Sequence, residues 1–308
     1  MAAITVLNRS RHITRNFHNP WRILKGKRFV SAGLEFDDAI SDSIPGWEDD
    51  MEESNQSHDG FQLYESHIPT SMMQKVLLTT GSALMALYNP ARADMVATLG
   101  ETTGFLALKN MHKKMQADPV GQEILQECPR INSSIIDMTK LRQLPDGSFG
   151  REYARNMDTN KITADSRDEV KYVDDKDLAY VMQRYREVHD FVHTLAGLSI
   201  RFVSLVCMKD AKFLLAKCVP HEIAVKWYEM IQTGLPMCAL SSFVAPIRLT
   251  GRQRAELRKY YIPWAVYCGY QSKFFLNVYF EKHFEEPIDE LRQRMNFVPA
   301  PKIPKKPV

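Results

Sequence analysis

The first 34 residues contain no Asp or Glu, and residues 35–65 contain no Lys or Arg. Other absences narrow the reading further. No Cys-x-x-Cys pair occurs, and Cys128, Cys207, Cys218, Cys238 and Cys268 are odd in number and widely spaced. That excludes a disulfide framework and fits free thiols in a reducing compartment. No apolar run reaches the roughly 20 residues that a membrane span needs, so any membrane role is expected to be peripheral. The net charge is only +3 and no basic block is interleaved with aromatics, which sets nucleic acid aside as a partner. Strand-like alternation is nearly missing beyond a short piece at 275–280, and no internal repeat is present. What is there is ordinary for a globular protein: 308 residues, 44% apolar and 25% charged, enough chain to bury a sizeable core.

The two stretches of one-sided charge read differently from the rest. In residues 1–34, Arg9, Arg11, Arg15, Arg22, Lys25, Lys27 and Arg28 alternate with Ser, Thr and apolar residues. This is the profile of a mitochondrial presequence, with a disordered basic tail as the alternative. Eleven acids then fall between Glu35 and Glu65. A segment so charged and so poor in apolar surface cannot offset its ordering entropy, so residues 35–63 are expected to be a disordered acidic spacer. The folded domain is expected over residues 64–298. The Pro-rich, basic tail at 299–308 is expected to be extended rather than packed.

Within 64–298 the periodicity is helical. Ser71-Met72-Met73-Gln74 forms a capping-box pattern opening a helix that runs to Leu87 before Asn89-Pro90. Helices are further predicted at 104–116, 119–126, 150–157, 221–233, 251–260, 263–268 and 286–296. The clearest spans 175–196, where Leu178, Val181, Met182, Tyr185, Val188, Val192 and Leu195 recur near 3.6 residues. Asp174 and Asp175 suit its start, and Gly197 its end. The fold class is therefore all-α, a single helical domain.

The last turns of that helix read His189-Asp190-Phe191-Val192-His193. Residues i and i+4 stack on one helix face, so His189 and His193 can grip one metal ion, with Asp190 beside them. Imidazoles with carboxylate oxygens suit zinc or ferrous iron better than calcium. Spacing alone also allows an ordinary pair of surface or core histidines.

Other blocks accompany this one. They include Gly81-Ser82-Ala83-Leu84-Met85-Ala86-Leu87-Tyr88-Asn89-Pro90, the run Arg92 to Gly104, and Gly150-Arg151-Glu152-Tyr153. Gln183-Arg184-Tyr185-Arg186-Glu187-Val188 leads into the His-Asp pair. Glu222-Ile223-Ala224-Val225-Lys226-Trp227, Gln232-Thr233-Gly234-Leu235-Pro236-Met237 and Pro263-Trp264 complete the set. Together they resemble the ubiquinone (coenzyme Q) biosynthesis protein 4 family of mitochondria, over roughly residues 64–298. The resemblance implies a helical protein, peripheral on the matrix side of the mitochondrial inner membrane, within a multi-protein ubiquinone-making complex. It implies a site of the form His-Asp-x-x-His, eleven residues, then Glu. The ion is expected to be Zn2+, with Fe2+ or Mg2+ as alternatives. The implied activity is C1 decarboxylation of a 4-hydroxy-3-methoxy-5-polyprenylbenzoate to a 2-methoxy-6-polyprenylphenol. Carried over by position, His189, Asp190, His193 and Glu222 are the expected ligands.

The chain departs from that pattern in one place. Twenty-eight residues separate His193 from Glu222, where the family pattern has eleven. The surplus falls at about 200–220 and is mixed apolar and basic. It reads either as a genuine excursion, whose closure entropy grows only slowly with length, or as intron-derived sequence. Asp210 or Cys207 inside it is an alternative ligand. Catalytic acid–base groups stay unassigned, with Tyr185, Glu187 and Glu101 as candidates. Two other functions compete with the lyase: a non-catalytic lipid-binding scaffold for the complex, and a phosphohydrolase. The last is disfavoured because no second His-Asp pair is present within residues 64–298. The 15 Met residues and the small-residue helix at 71–88 can line a groove for a polyprenyl tail, Met being adaptable to irregular apolar shapes, or simply fill a core.

Overall fold

The computed structural model describes residues 62–89, 92–166, 168–198 and 220–303. The expected presequence, the acidic spacer to Phe61 and all but the last residue of the surplus segment at about 200–220, with Asp210 and Cys207, lie outside the described residues. The described part is helical: α1 Met72–Tyr88, α2 Ala93–Thr103, α3 Phe105–Gln116, α4 Pro119–Glu127, α5 Met138–Gln143, α6 Phe149–Asn160, α7 Lys176–Ala196, α8 Pro220–Thr233, α9 Pro236–Val244, α10 Gly251–Glu256, α11 Ile262–Gln271 and α12 Ile288–Arg294. No strand forms among these residues; Ser148 and Pro287 make an isolated bridge.

Several ends are set by local chemistry visible in the sequence. Ser71 caps α1 with a full capping box to Gln74. Asp118 accepts from the N–H groups of Val120 and Gly121 ahead of Pro119, and Asp175 accepts from Leu178 at the start of α7. Each satisfies helix donors that have no partner within the helix. Gly197 closes α7 at φ 66°, a left-handed conformation that costs glycine nothing.

The differences from expectation have physical reasons. The piece at 275–280 is not a strand but part of two 3-10 turns, Phe275–Asn277 and Phe280–Lys282, whose Phe275 and Phe280 are buried in the core. Helices α2, α5 and α9 were not anticipated. Threonine-rich α2 has low intrinsic propensity and is held by packing on neighbours: a Cβ on Gly100 would come within 2.4 Å of Met237 Sδ in α9. The helices expected at 251–260 and 263–268 are one continuous rod, joined by a π-helical turn at Leu257–Tyr261. Pro263 lacks an N–H and crowds the preceding turn, and the wider π turn relieves that conflict without ending the helix. The described part of the tail, residues 299–303, is packed rather than free: Ala300 N–H donates to Ala196 O at 3.0 Å, and Ala300 and Ile303 lie against the core.

Helix α7 is the axis of the fold. Its apolar stripe is buried as predicted, and so is the opposite, polar side. Leu178, Val181, Met182, Tyr185, Val188, Val192 and Leu195 are all buried, each contributing roughly 1.5–3 kcal/mol of apolar transfer for the larger side chains. Phe191 joins Phe149, Tyr153, Phe280 and Phe284 in an aromatic cluster. Three charged residues of α7 are buried together with a partner. Arg184 pairs with Glu281, Arg186 with Glu101 at 2.6 Å, and Glu187 with Arg130 at 2.7 Å. Glu101 also accepts from the N–H groups of Lys171 and Tyr172, and Glu187 from that of Ile131. These two acids, candidates for proton transfer by sequence, thus brace loops. Methionine divides likewise: Met111, Met115, Met157 and Met295 are core, while Met72, Met73 and Met85 are exposed on α1.

Candidate metal centre

Helices α7 and α8 run antiparallel where they meet. Tyr185 OH donates to Glu229 Oε2 at 2.7 Å, and two turns further along α7, His193 Nε2 lies 3.5 Å from Glu222 Oε2. The 3.6-residue repeat explains the ladder: 185, 189 and 193 share one stripe of α7, and 222, 226 and 229 share one stripe of α8. His221, at the start of α8, is anchored through Nε2 to Tyr261 OH at 2.8 Å in the π turn. Glu222 lies in the first helical turn, where the helix dipole favours a carboxylate.

Three of the four expected ligands converge. One ligand atom each from His189, His193 and Glu222 lies within 4.8 Å of the others, and the two imidazole rings are 4.7 Å apart between centroids, edge to face. Glu222 therefore returns to the histidines across the long 194–221 connection. Asp190 is buried but is not part of this group of three. As the residue after His189 it points about 100° further round the helix.

The unmet bonding capacity of these groups is the test of whether they suit a metal. His193 is fully buried, yet neither Nδ1 nor Nε2 has a hydrogen-bond partner, and Glu222 Oε1 is buried without one as well. Such orphans cost about 1–3 kcal/mol each in a protein interior, and a cation bonded to one imidazole nitrogen and to the carboxylate removes part of that cost. A tetrahedral zinc with ligands at about 2.0–2.2 Å sets them roughly 3.3–3.5 Å apart. The His193–Glu222 spacing already meets this, and the full set needs to draw in by about an ångström. Two imidazoles and a carboxylate fit Zn2+ and Fe2+ by donor type, and Mg2+ less well.

A second layer surrounds the first. His189 Nδ1 is hydrogen-bonded to Glu229 Oε1. Glu229 Oε2 also accepts from Lys226 Nζ at 2.7 Å, and Lys226 Nζ lies 3.2 Å from Tyr185 OH. Cys238 Sγ is 3.2 Å from the same hydroxyl. Burial lowers the His189 pKa, more than Glu229 raises it. Burial alone would raise the Glu229 carboxyl, but His189 and Lys226 hold it well below its ordinary range. Burial likewise opposes ionisation of Glu222, and His193 and His189 reverse the effect, leaving it lowered. Burial disfavours the charge on Lys226, but Glu229 outweighs it and the ammonium is held. The Cys238 thiol is pushed up to about 12, chiefly by burial. Glu229, Lys226 and Cys238 were not picked out by sequence reasoning. The only available signal was their place on the Glu222 stripe or in the following helix, which means nothing until α8 is docked on α7.

Comparison with known proteins agrees with the architecture. The family model of "Coenzyme Q (ubiquinone) biosynthesis protein Coq4" matches residues 64–217 and 210–301, two stretches that meet inside the surplus segment. A mitochondrial ubiquinone biosynthesis protein COQ4 homolog from Nematostella vectensis is 54% identical over 221 residues, covering 71% of this chain and 99% of that protein. The Homo sapiens COQ4 homolog, also named mitochondrial, is 47% identical over 239 residues, covering 78% of this chain and 84% of its own length. A crystal structure of a Nostoc punctiforme protein, assigned by its name to ubiquinone biosynthesis, matches with a TM-score of 0.52 at 16% identity, covering 72% of this chain and 95% of that one; this likeness speaks to the fold. The chain belongs to the Coq4 family of coenzyme Q (ubiquinone) biosynthesis proteins.

Proposed function

We propose that the protein is a metal-dependent lyase that removes the C1 carboxyl group from a 4-hydroxy-3-methoxy-5-polyprenylbenzoate, giving a 2-methoxy-6-polyprenylphenol. The observation that carries this reading is the incomplete donor set. His189, His193 and Glu222 converge while Asp190 does not join them; three protein ligands would leave an ion held there open to substrate, as in catalytic rather than structural zinc sites. A divalent ion in this position supplies Lewis acidity toward the substrate carboxylate or phenolic oxygens. The residues do the rest. His193 and Glu222 hold the ion from two different helices, and the Lys226 ammonium places positive charge beside the site, favouring an anionic substrate. The bond between C1 and the carboxyl carbon breaks, CO2 leaves, and the ring carbon takes a proton.

The surface of α1 supports a lipid-linked substrate. Met72, Met73, Val76, Leu77, Leu84 and Tyr88 are all exposed, a density of apolar groups that marks an interaction face. None of the described helices is long and apolar enough to cross a membrane. A peripheral seat on the matrix face of the mitochondrial inner membrane, alongside other ubiquinone-making proteins, is the setting we propose. Residues 1–34 then act as presequence and 35–63 as spacer. Protein recovered from mitochondria should have its N-terminus well past Met1; recovery with Met1 intact counts against import by cleavage.

The deciding experiment pairs metal analysis of the purified full-length protein with CO2 release from a short-chain prenylated 4-hydroxy-3-methoxybenzoate. About one ion per chain and chelator-sensitive CO2 release are expected. Bound metal with no CO2 release, together with steep loss of thermal stability on chelation, would instead support a scaffold in which the ion ties α7 to α8.

A further inference from the structure

Glu229 is fully buried and differs from the other buried Glu residues among the described residues. Glu101 and Glu187 accept from backbone N–H groups of loops and hold those loops in place. The carboxylate of Glu229 has side-chain partners instead: His189 through Oε1, and Tyr185 and Lys226 through Oε2. A carboxylate within hydrogen-bond reach of an imidazole nitrogen can only accept, so Nδ1 of His189 carries the hydrogen. The lone pair is then left on Nε2. Lys226 and Tyr185, each 2.7 Å from Oε2, fix the carboxylate in turn, so the chain Tyr185/Lys226–Glu229–His189 runs from the core to the metal centre.

We infer that Glu229 is the positioning residue of this centre: it locks His189 in the Nδ1–H tautomer, orients the ring, and so sets the affinity for the metal without ligating it. This rests on the metal reading proposed above. A carboxylate behind a histidine ligand fixes the tautomer and raises the basicity of the coordinating nitrogen, and its loss typically weakens metal binding 10–100-fold. Glu229 lies seven residues beyond Glu222, two turns along α8, so a single helix supplies one ligand and the support for another.

The test uses the full-length protein with Co2+ and Zn2+ as probes. Glu229→Gln keeps the volume and an acceptor but removes the charge. Its affinity for Co2+ should fall about 10–100-fold, while the visible absorption bands of the Co2+ form keep their shape because the ligands are the same. Without metal, histidine-selective nitrogen NMR should show His189 protonated on Nδ1 in the unsubstituted protein and a mixed tautomer in Glu229→Gln. A merely structural residue would lower the unfolding temperature without moving the tautomer. If Glu229→Gln does not fold, Tyr185→Phe removes one of the donors that hold Glu229, and a several-fold weakening of Co2+ binding is expected. Unchanged affinity in the folded variant overturns the inference and leaves the metal reading standing. Altered Co2+ bands overturn it by making Glu229 a ligand. An unsubstituted protein that takes up neither ion overturns the metal reading and this inference with it.

Discussion

His193→Ala should abolish stoichiometric metal binding while leaving the metal-free protein folded. The loss of affinity is expected to exceed about a hundredfold, the upper end of what removal of a supporting partner costs, because a direct donor disappears. In the metal-free protein the change costs little. The imidazole is fully buried, makes no hydrogen bond and has only the 3.5 Å contact of Nε2 with Glu222 Oε2, so Ala trades two desolvated polar atoms for a small cavity. These effects, each on the order of 1–3 kcal/mol, oppose one another. Metal content by mass spectrometry and unfolding temperature with and without chelator check both parts. Unchanged metal content removes His193 from the site. A collapse in stability of the chelated protein would mean that the imidazole is a packing element first.

The largest loss of stability is expected from Glu281→Ala, which is not one of the candidate metal ligands. Arg184 is 0% exposed, and its guanidinium is held by Glu281, with Nη2 at 2.9 Å from Oε2, and by Val278 O at 3.3 Å. Removing the carboxylate strands a buried cation, which typically costs about 3–5 kcal/mol. For a domain of this size the unfolding temperature should fall by roughly 10 °C, at about 2–4 °C per kcal/mol. Removing both charges in Arg184→Met/Glu281→Gln should cost far less, because the desolvation of both ions disappears along with their attraction. Denaturant or thermal unfolding of the three proteins checks the order. If Glu281→Ala is no worse than the double variant, the pair is not coupled as the geometry indicates. Metal affinity should be unaffected in either.

Several features were legible because they depend on neighbours in sequence. Ser71 with Gln74, Asp118 before Pro119 and Gly197 after Ala196 announce helix ends through groups at most three residues away. The long repeat from Leu178 to Leu195 announces α7. The Thr and Gly content of α2 argues locally against a helix, and packing on α1 and α9, the latter closely approached at Gly100, stabilises it. The piece at 275–280 reads as a short strand because a run of apolar and aromatic residues looks the same in either conformation.

The metal centre divides along the same line. By itself the sequence determined that His189 and His193 share a helix face, since covalent geometry and the 3.6-residue turn put i and i+4 in register wherever the helix goes. It also determined the all-α class and the family. Only the tertiary structure decided that Glu222 comes back to the histidines across 28 intervening residues, that Asp190 stays outside the group, and that Glu229 stands behind His189. Those relations join different helices or different faces of one helix. They are fixed by how α7 and α8 pack and by the antiparallel register of Tyr185 against Glu229 and His193 against Glu222, which no spacing along the chain encodes.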